Sequence, residues 1–290
     1  MTQIINALSQ ISDQYDALFV DLWGCVHDGL KAFPAANKAL CRYRSTGGKV
    51  ILVTNSPKPS NEIEKQMDIL GVSFEAWDSI ASSGDSARAA MFQGVVGQKV
   101  YFIGEHRDLP FFEPMQWLNN SKTIHRVSLK DAEGIVCTGP FNPKADPEEM
   151  LPTFQIAKRR GLKLLCSNPD IVVDRGDSRE WCAGALAQLY NHMGGQSLYF
   201  GKPHPPIYDL ARRRLATIGG NINSVRILAI GDGIQTDING ASNQNIDSLF
   251  ISGGLSKTET KTTHIPDPLA LNDFLLGQKE APRFTIGYLQ

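Results

Sequence analysis

No stretch of this sequence approaches the roughly 18 consecutive apolar residues of a membrane-spanning helix, so no membrane partner is expected. Its first residues, M-T-Q-I-I-N-A-L-S-Q, lack the basic start and apolar run of a secretory signal, which points to a cytoplasmic protein. An excess of one charge is also missing: 29 Lys and Arg stand against 30 Asp and Glu, a net of −1. That balance gives no reason to expect nucleic acid as a partner. The five cysteines (Cys25, Cys41, Cys137, Cys166 and Cys182) form no C-x-x-C pair and no ligand-spaced Cys/His cluster. A reducing compartment fits; a zinc site has no support. Cys25 is read as a small apolar residue in a turn rather than as a nucleophile. The dinucleotide fingerprint G-x-G-x-x-G is absent after the first strong strand, where the turn reads Asp21-Leu22-Trp23-Gly24-Cys25-Val26. There is no internal repeat and no low-complexity segment.

What remains is an ordinary globular composition, 42% hydrophobic and 20% charged, over 290 residues. That length suits one large domain or two smaller ones. The stretch Ala17 to Gly29, A-L-F-V-D-L-W-G-C-V-H-D-G, is the focus: a short apolar run of the kind buried in parallel sheets, ending in a carboxylate. Residues 4–16 read as a leading helix with Ile4, Ile5, Leu8 and Ile11 on one side. Helix over Pro34–Arg44, strand over Lys49–Val53 and helix over Ser60–Leu70 follow, separated by Gly47-Gly48 and Gly71. Further strands are expected at Ile80–Ser83, Lys99–Gly104, Ile135–Cys137, Leu162–Cys166 and Ser197–Phe200. Helices are expected at Asp85–Phe92, Arg107–Leu118, Asp146–Arg160 and Ile207–Thr217. Arg226–Ile230 is a strong buried strand, and Ser248–Ile251 is expected to be the last of the sheet. Ser256–Thr263 reads as polar surface. The alternation predicts a Rossmann-like α/β core with a parallel sheet. One sheet would otherwise hold about ten strands, so an inserted α/β domain is expected at residues 83–198, with the core formed by 1–82 and 199–290.

In open α/β sheets the ligand crevice lies beyond the carboxyl ends of the strands. Asp21, Thr54-Asn55 and Asp232 all fall there, with Asp237 five residues further on and Lys202 in a Gly-Lys-Pro turn. Two carboxylates at strand ends make a hard oxygen site suited to Mg²⁺. A hydroxyl, an amide and a lysine can hold and neutralise a phosphoryl group. Each member alone has a plainer role, such as capping a helix or shaping a turn. The ordered set is what carries the chemistry.

D-L-W-G-C-V-H-D-G, V-T-N-S-P, G-K-P-H-P-P-I-Y and I-G-D-G-I-Q-T-D-I-N-G-A resemble, in order, the four motifs of the haloacid dehalogenase-like phosphohydrolases. The similarity is to the subclass with an α/β cap between the second and third motifs, whose members include nucleotide, sugar-phosphate and pyridoxal-phosphate phosphatases. It implies Asp21 as nucleophile and Mg²⁺ ligand, with Asp232 and the backbone carbonyl of Trp23 also on the metal. It implies Asp237 as the residue orienting that site, Thr54 and Asn55 as phosphoryl ligands, and Lys202 as the group that stabilises nucleophile and transferring charge. The implied substrate is a small phosphorylated metabolite, and pairing of two copies into a homodimer is compatible with the resemblance. S-N-P-D (Ser167–Asp170) is similar to the cap sequence near the substrate. Asn168, Pro169, Asp170, Arg175, Asp177 and Arg179 are the candidate cap contacts; Trp181 is read either as a stacking surface for a flat substrate or, as is commoner for an aromatic, as part of the cap core.

One position departs from the pattern. Family phosphatases carry a second Asp two residues after the nucleophile, as general acid and base; here it is Trp23. An indole N–H only donates hydrogen bonds and cannot take a proton from water. Such assistance is typically worth about 10² to 10⁴ in rate, so slow turnover or a need for good leaving groups is expected. Three readings stand open: a phosphatase in which His27 or Asp28 replaces the acid, a non-hydrolytic Mg²⁺ and phosphometabolite sensor, and a transfer reaction whose substrate supplies the proton.

Overall fold

The computed structural model describes residues 2–175, 178–219 and 226–290, the side chains of 174 and 175 excepted. The chain divides into two compact units: Met1–Thr54, Ile63–Ala81 and Tyr208–Gln290 form the first, Asn55–Glu62 and Ser82–Ile207 the second.

The first unit opens with β1 (Gln3–Ile4) and β2 (Ala17–Val20), then α1 (Pro34–Ser45), β3 (Lys49–Thr54), α2 (Ser60–Leu70) and β4 (Ser79–Ser82). Proline at the first position of α1 suits a helix start, and Arg42 and Arg44 in its last turn suit the negative end of its dipole. Gly47, at φ +97°, supplies the left-handed residue that ends it.

The longer segment of the second unit starts at Ser82, whose hydroxyl accepts the Asp85 N–H and caps α3 (Ser83–Phe92). It continues through β5 (Lys99–Ile103), β6 (His125–Arg126), β7 (Gly134–Cys137), α4 (Leu151–Arg159), β8 (Lys163–Cys166), β9 (Val172–Arg175), β10 (Ser178–Trp181), α5 (Ala183–His192) and β11 (Gln196–Tyr199). Five of these strands make a parallel sheet in the order β11-β8-β7-β5-β6; β9 and β10 form a separate antiparallel ribbon. Side chains alternate across the sheet as a period of two demands. Ile135, Cys137, Leu164 and Cys166 pack with Phe154, Leu186 and Tyr190. Val136 and Leu165 pack with Ala87, Met91 and Phe111 instead.

The chain closes with α6 (Pro205–Thr217), β12 (Ile227–Gly231), α7 (Asn239–Asn243), β13 (Asp247–Ile251), α8 (Pro268–Leu276) and β14 (Phe284–Ile286). The first unit's seven strands run β1-β14-β13-β12-β2-β3-β4. β12, β2 and β3 are parallel neighbours with Ile230, Val20 and Leu52 in register. Asp232, Asp21 and Thr54 therefore sit at or just beyond three adjacent strand ends.

Four expectations are corrected. Residues 4–16 are not a helix: Gln3–Ile4 is a strand paired with β14, and only two 3₁₀ turns, Leu8–Gln10 and Ser12–Gln14, follow. That partner lies some 280 residues away, beyond any local pattern. Arg107–Leu118 yields only a 3₁₀ turn over His106–Phe112, because Pro110 and Pro114 remove amide donors and crowd the preceding carbonyls. β13 is not the last strand, since β14 extends the sheet beyond it. The run from Ser256 to Thr263 is not all solvated surface: Thr260 and Thr262 are buried. Thr260 donates to the Ser256 carbonyl, Thr262 to the Ser252 hydroxyl, and Ser252 to the Ile286 carbonyl, tying this loop to β14.

Candidate active site

Asp21 follows β2 directly, and its N–H donates to the Ile230 carbonyl (2.8 Å), so the ladder fixes its backbone. The chain then turns back, with the Leu22 carbonyl accepting the N–H groups of Val26 and His27. Gly24 sits at φ +73°, and a Cβ there would lie 2.1 Å from Asp232 Oδ2. Gly254 approaches the same oxygen equally closely. The two glycines make a cradle for the Asp232 carboxylate that no larger residue would leave open. Leu255 closes it, its N–H donating to Asp232 Oδ2 at 3.0 Å.

Ligand atoms of Asp21, Asp232 and Cys25 lie within 4.8 Å of one another, all three residues buried. Asp237 is buried on the Ile234–Ile238 turn, where its Oδ2 accepts the Gly233 N–H (3.1 Å) and faces the Thr236 hydroxyl (3.3 Å). It holds the backbone that carries Asp232. Thr54 is buried at the end of β3.

Asn55, Lys202, Asn168 and Asp170 belong to the second unit. The Asn55 side chain is heavily used by the protein itself: its Oδ1 accepts the Lys202 N–H (2.6 Å), and its Nδ2 donates to the Lys202 carbonyl (3.1 Å) and to Asp170 Oδ1 (2.8 Å). Asn55 thus positions the lysine turn. Asn168 Oδ1 accepts the Asp170 N–H (3.0 Å), and the Asp170 carbonyl accepts the Gly184 N–H in the first turn of α5. A Cβ on Gly184 would lie 2.1 Å from the Pro169 carbonyl oxygen, which is why the S-N-P-D turn can rest on that helix. The Arg175 side chain and all of Asp177 lie outside the described residues. Arg179 is exposed on β10, and Trp181, expected in a core, is 36% exposed on the same ribbon. A two-stranded ribbon has too little surface to bury its aromatics.

The stand-ins for the missing acid are both occupied locally. His27 is buried and its Nδ1 accepts the Gly29 N–H (3.0 Å). Burial pushes its imidazole down to about 4, opposed only by the Asp28 charge. Asp28 Oδ1 accepts the N–H groups of Lys31 and Leu30, both at 2.9 Å, and these bonds hold its carboxyl below the usual range. Sequence reasoning missed the Gly254-Leu255 loop; its only signal was a Gly-Gly pair after β13. Cys25 lies in the turn, and its approach to both carboxylates has no local signature in the sequence.

A family model described as "Haloacid dehalogenase-like hydrolase" matches residues 18–116, and a second hydrolase model of the same superfamily matches 199–275. A haloacid dehalogenase-like hydrolase from Brucella suis superposes with a TM-score of 0.84 at 36% identity, over 99% of this chain and 100% of that one. An acid sugar phosphatase of Staphylococcus saprophyticus is 23% identical over 89% of this chain and 95% of its own length. The 5'-nucleotidase YutF of Bacillus subtilis is 24% identical over 90% of this chain and 96% of its own.

Proposed function

The chain belongs to the haloacid dehalogenase-like hydrolases, and from that premise we propose that it is a Mg²⁺-dependent phosphohydrolase forming an aspartyl-phosphate on Asp21. The observation that carries the reading is the convergence of the Asp21 and Asp232 carboxylates within 4.8 Å at neighbouring strand ends. Curated relatives named as phosphatases and a nucleotidase support the reaction class and a small phosphorylated metabolite as substrate.

The residues fit a hard cation. Two carboxylates and the Trp23 carbonyl are oxygen donors of the kind Mg²⁺ takes, and the soft thiol of Cys25 is not. Gly24 keeps the space beside Asp232 clear. Mg²⁺ held there would supply the positive charge that lets an anionic carboxylate approach a phosphoryl dianion. An Asp21 oxygen attacks phosphorus while the leaving oxygen departs with the bonding pair. Water then attacks the same phosphorus and the carboxylate is released. Asp237 orients Asp232 through the Gly233 turn. Thr54 is assigned hydrogen bonding to the phosphoryl oxygens, and Lys202 their remaining charge, both on the strength of the motif resemblance. Asn55 acts chiefly by holding the Lys202 turn. Asn168, Asp170 and Arg175 are assigned to the substrate in the same way.

The test is phosphate release from a panel of phosphate esters and acyl phosphates with Mg²⁺, comparing wild type with Asp21→Asn. Wild type should turn over and retain labelled phosphate on acid-quenched protein. The variant should lose more than about 10³-fold and retain none. Equal turnover in the two proteins would sink the nucleophile assignment. A protein that only senses phosphometabolites would release phosphate in neither.

A further inference from the structure

We propose that Asp170 is a positioning residue for phosphoryl transfer: it orients the Asn55 amide and, through that amide, the Lys202 turn. The proposal rests on the reading above in which Lys202 takes up phosphoryl charge. It gives Asp170 a task on the phosphoryl group that every substrate shares, in place of the contact with the rest of the substrate that motif resemblance assigns it.

Asn55, Asp170 and Lys202 all lie in the second unit. Three partners decide which way round the Asn55 amide stands. The Lys202 N–H needs an acceptor and takes Oδ1 at 2.6 Å. The Lys202 carbonyl and the Asp170 carboxylate each need a donor and share Nδ2, at 3.1 and 2.8 Å. The bond to the carboxylate is the shorter of the two, and hydrogen bonds to charged groups are the stronger kind. Turning the amide over would set Oδ1 against the Asp170 carboxylate and Nδ2 against the Lys202 N–H. Asp170 thus locks Asn55 in the orientation that grips both backbone groups of the lysine.

The carboxylate that does this is carried on a rigid frame. The Asp170 N–H donates to Asn168 Oδ1 (3.0 Å), and its carbonyl accepts the Gly184 N–H in the first turn of α5 (3.1 Å). Pro169 before it has its φ fixed by the ring. The turn leaves β8 at Ser167, whose N–H donates to the Cys137 carbonyl of β7 (3.0 Å). A side chain held by a sheet and a helix in this way is positioned more precisely than one on a free loop. The same segments meet again at Gly201, one residue before the lysine. A Cβ there would fall 2.5 Å from Asn55 Oδ1 and 2.6 Å from the Pro169 ring. The lysine turn therefore lies against both the asparagine and the S-N-P-D turn, with no room for a side chain between them. Asn55 and Lys202 are 5% and 4% exposed, which leaves little water to take over these bonds. A misplacement of about 1 Å in a group that acts on the transition state can cost about 10²-fold in rate.

The test measures kcat/KM with Mg²⁺ for acetyl phosphate and phenyl phosphate, which share the phosphoryl group and differ in what leaves. Asp170→Ala should lose about 10- to 100-fold, by the same factor within about 3-fold for the two compounds. Asp170→Asn keeps an acceptor oxygen for Nδ2 and should recover at least about 5-fold of that loss. Added to Asn55→Ala, Asp170→Ala should cost less than about 3-fold, because the group it acts through is gone. The exchange of Asn55→Asp with Asp170→Asn restores a donor facing an acceptor and should regain at least about 5-fold over Asn55→Asp alone. That comparison decides the matter even if Asp170→Ala does not fold. Losses that differ between the two compounds by more than the stated factor put Asp170 on the leaving group and overturn the proposal. A larger cost in the Asn55→Ala background, or an exchange that recovers nothing, also overturns it. So does an Asp170→Ala protein that melts earlier yet keeps the wild-type kcat/KM, since the bond is then structural only. Each of these leaves the phosphohydrolase reading intact, because wild type still turns over. A wild type that cleaves neither compound removes that reading, and the proposal with it.

Discussion

At the scale of single residues, Asn55 shows how a motif position can act through its neighbours. One buried amide satisfies the N–H and the carbonyl of Lys202 and reaches Asp170 as well. Replacing it by Ala strands buried backbone groups, each costing about 1–3 kcal/mol. Asn55→Ala should therefore lower the thermal midpoint as well as the activity. Asn55→Asp should be at least as harmful, since it exchanges a donor for an oxygen facing the Asp170 carboxylate and the Lys202 carbonyl. Calorimetry of both variants checks this; unchanged stability with lost activity would mean that Asn55 serves the ligand alone. Trp23 is the opposite case, a motif position whose indole packs over Gly29 and edge-on against His27.

At the scale of elements, α3 is the anchor of the second unit. Ser82 caps it, and Asp85 in its first turn accepts from the Ser60 N–H (3.3 Å) and pairs with Arg88 (3.1 Å). Arg88 in turn donates to the carbonyls of Phe111 (2.9 Å) and Glu113 (2.6 Å), pinning the loop that Pro110 and Pro114 keep from becoming a helix. A lost cap costs about 1 kcal/mol, whereas removing one partner of a buried ion pair costs about 3–5 kcal/mol. Ser82→Ala should thus be mild and Asp85→Ala severe. Denaturant unfolding of the two variants tests the order; comparable losses would show that Arg88 does not depend on Asp85.

At the scale of the whole molecule, stability should fall at both ends of the pH range. His27 and His204 are held neutral by burial, His27 with its pKa pushed down to about 4. The unfolded chain binds those protons already near pH 6.5 and the folded chain refuses them, in the case of His27 over the window from about 6.5 down to about 4. Stability is then fully present above that window and lost as pH falls through it. Tyr15 and Tyr43 are pushed above the ordinary phenol value, mainly by burial; at Tyr15 the hydrogen bond to Asp247 adds to it. Here the unfolded chain loses protons first, so stability declines as pH rises beyond about 10. Thermal midpoints across the range should form a plateau from about pH 7 to 9 with a fall on either side. A midpoint that keeps rising below pH 6 would contradict the acid limb.

The sequence by itself determined the parallel sheets, the order of the four motifs and the strand-end positions of Asp21, Thr54 and Asp232. Each depends on short apolar runs, turn residues and spacing, which are local. Only tertiary structure decided the rest, because the partners are distant in the chain. It paired Gln3–Ile4 with β14, buried the hydroxyls of Thr260 and Thr262, and set Leu255 on Asp232. It gave the amide of Asn55 to Lys202, 147 residues away. It also engaged His27 and Asp28 in their own turn. Those two carry acid–base chemistry in one dimension, and only the folded loop shows that His27 Nδ1 and one oxygen of Asp28 accept backbone N–H groups of their own turn.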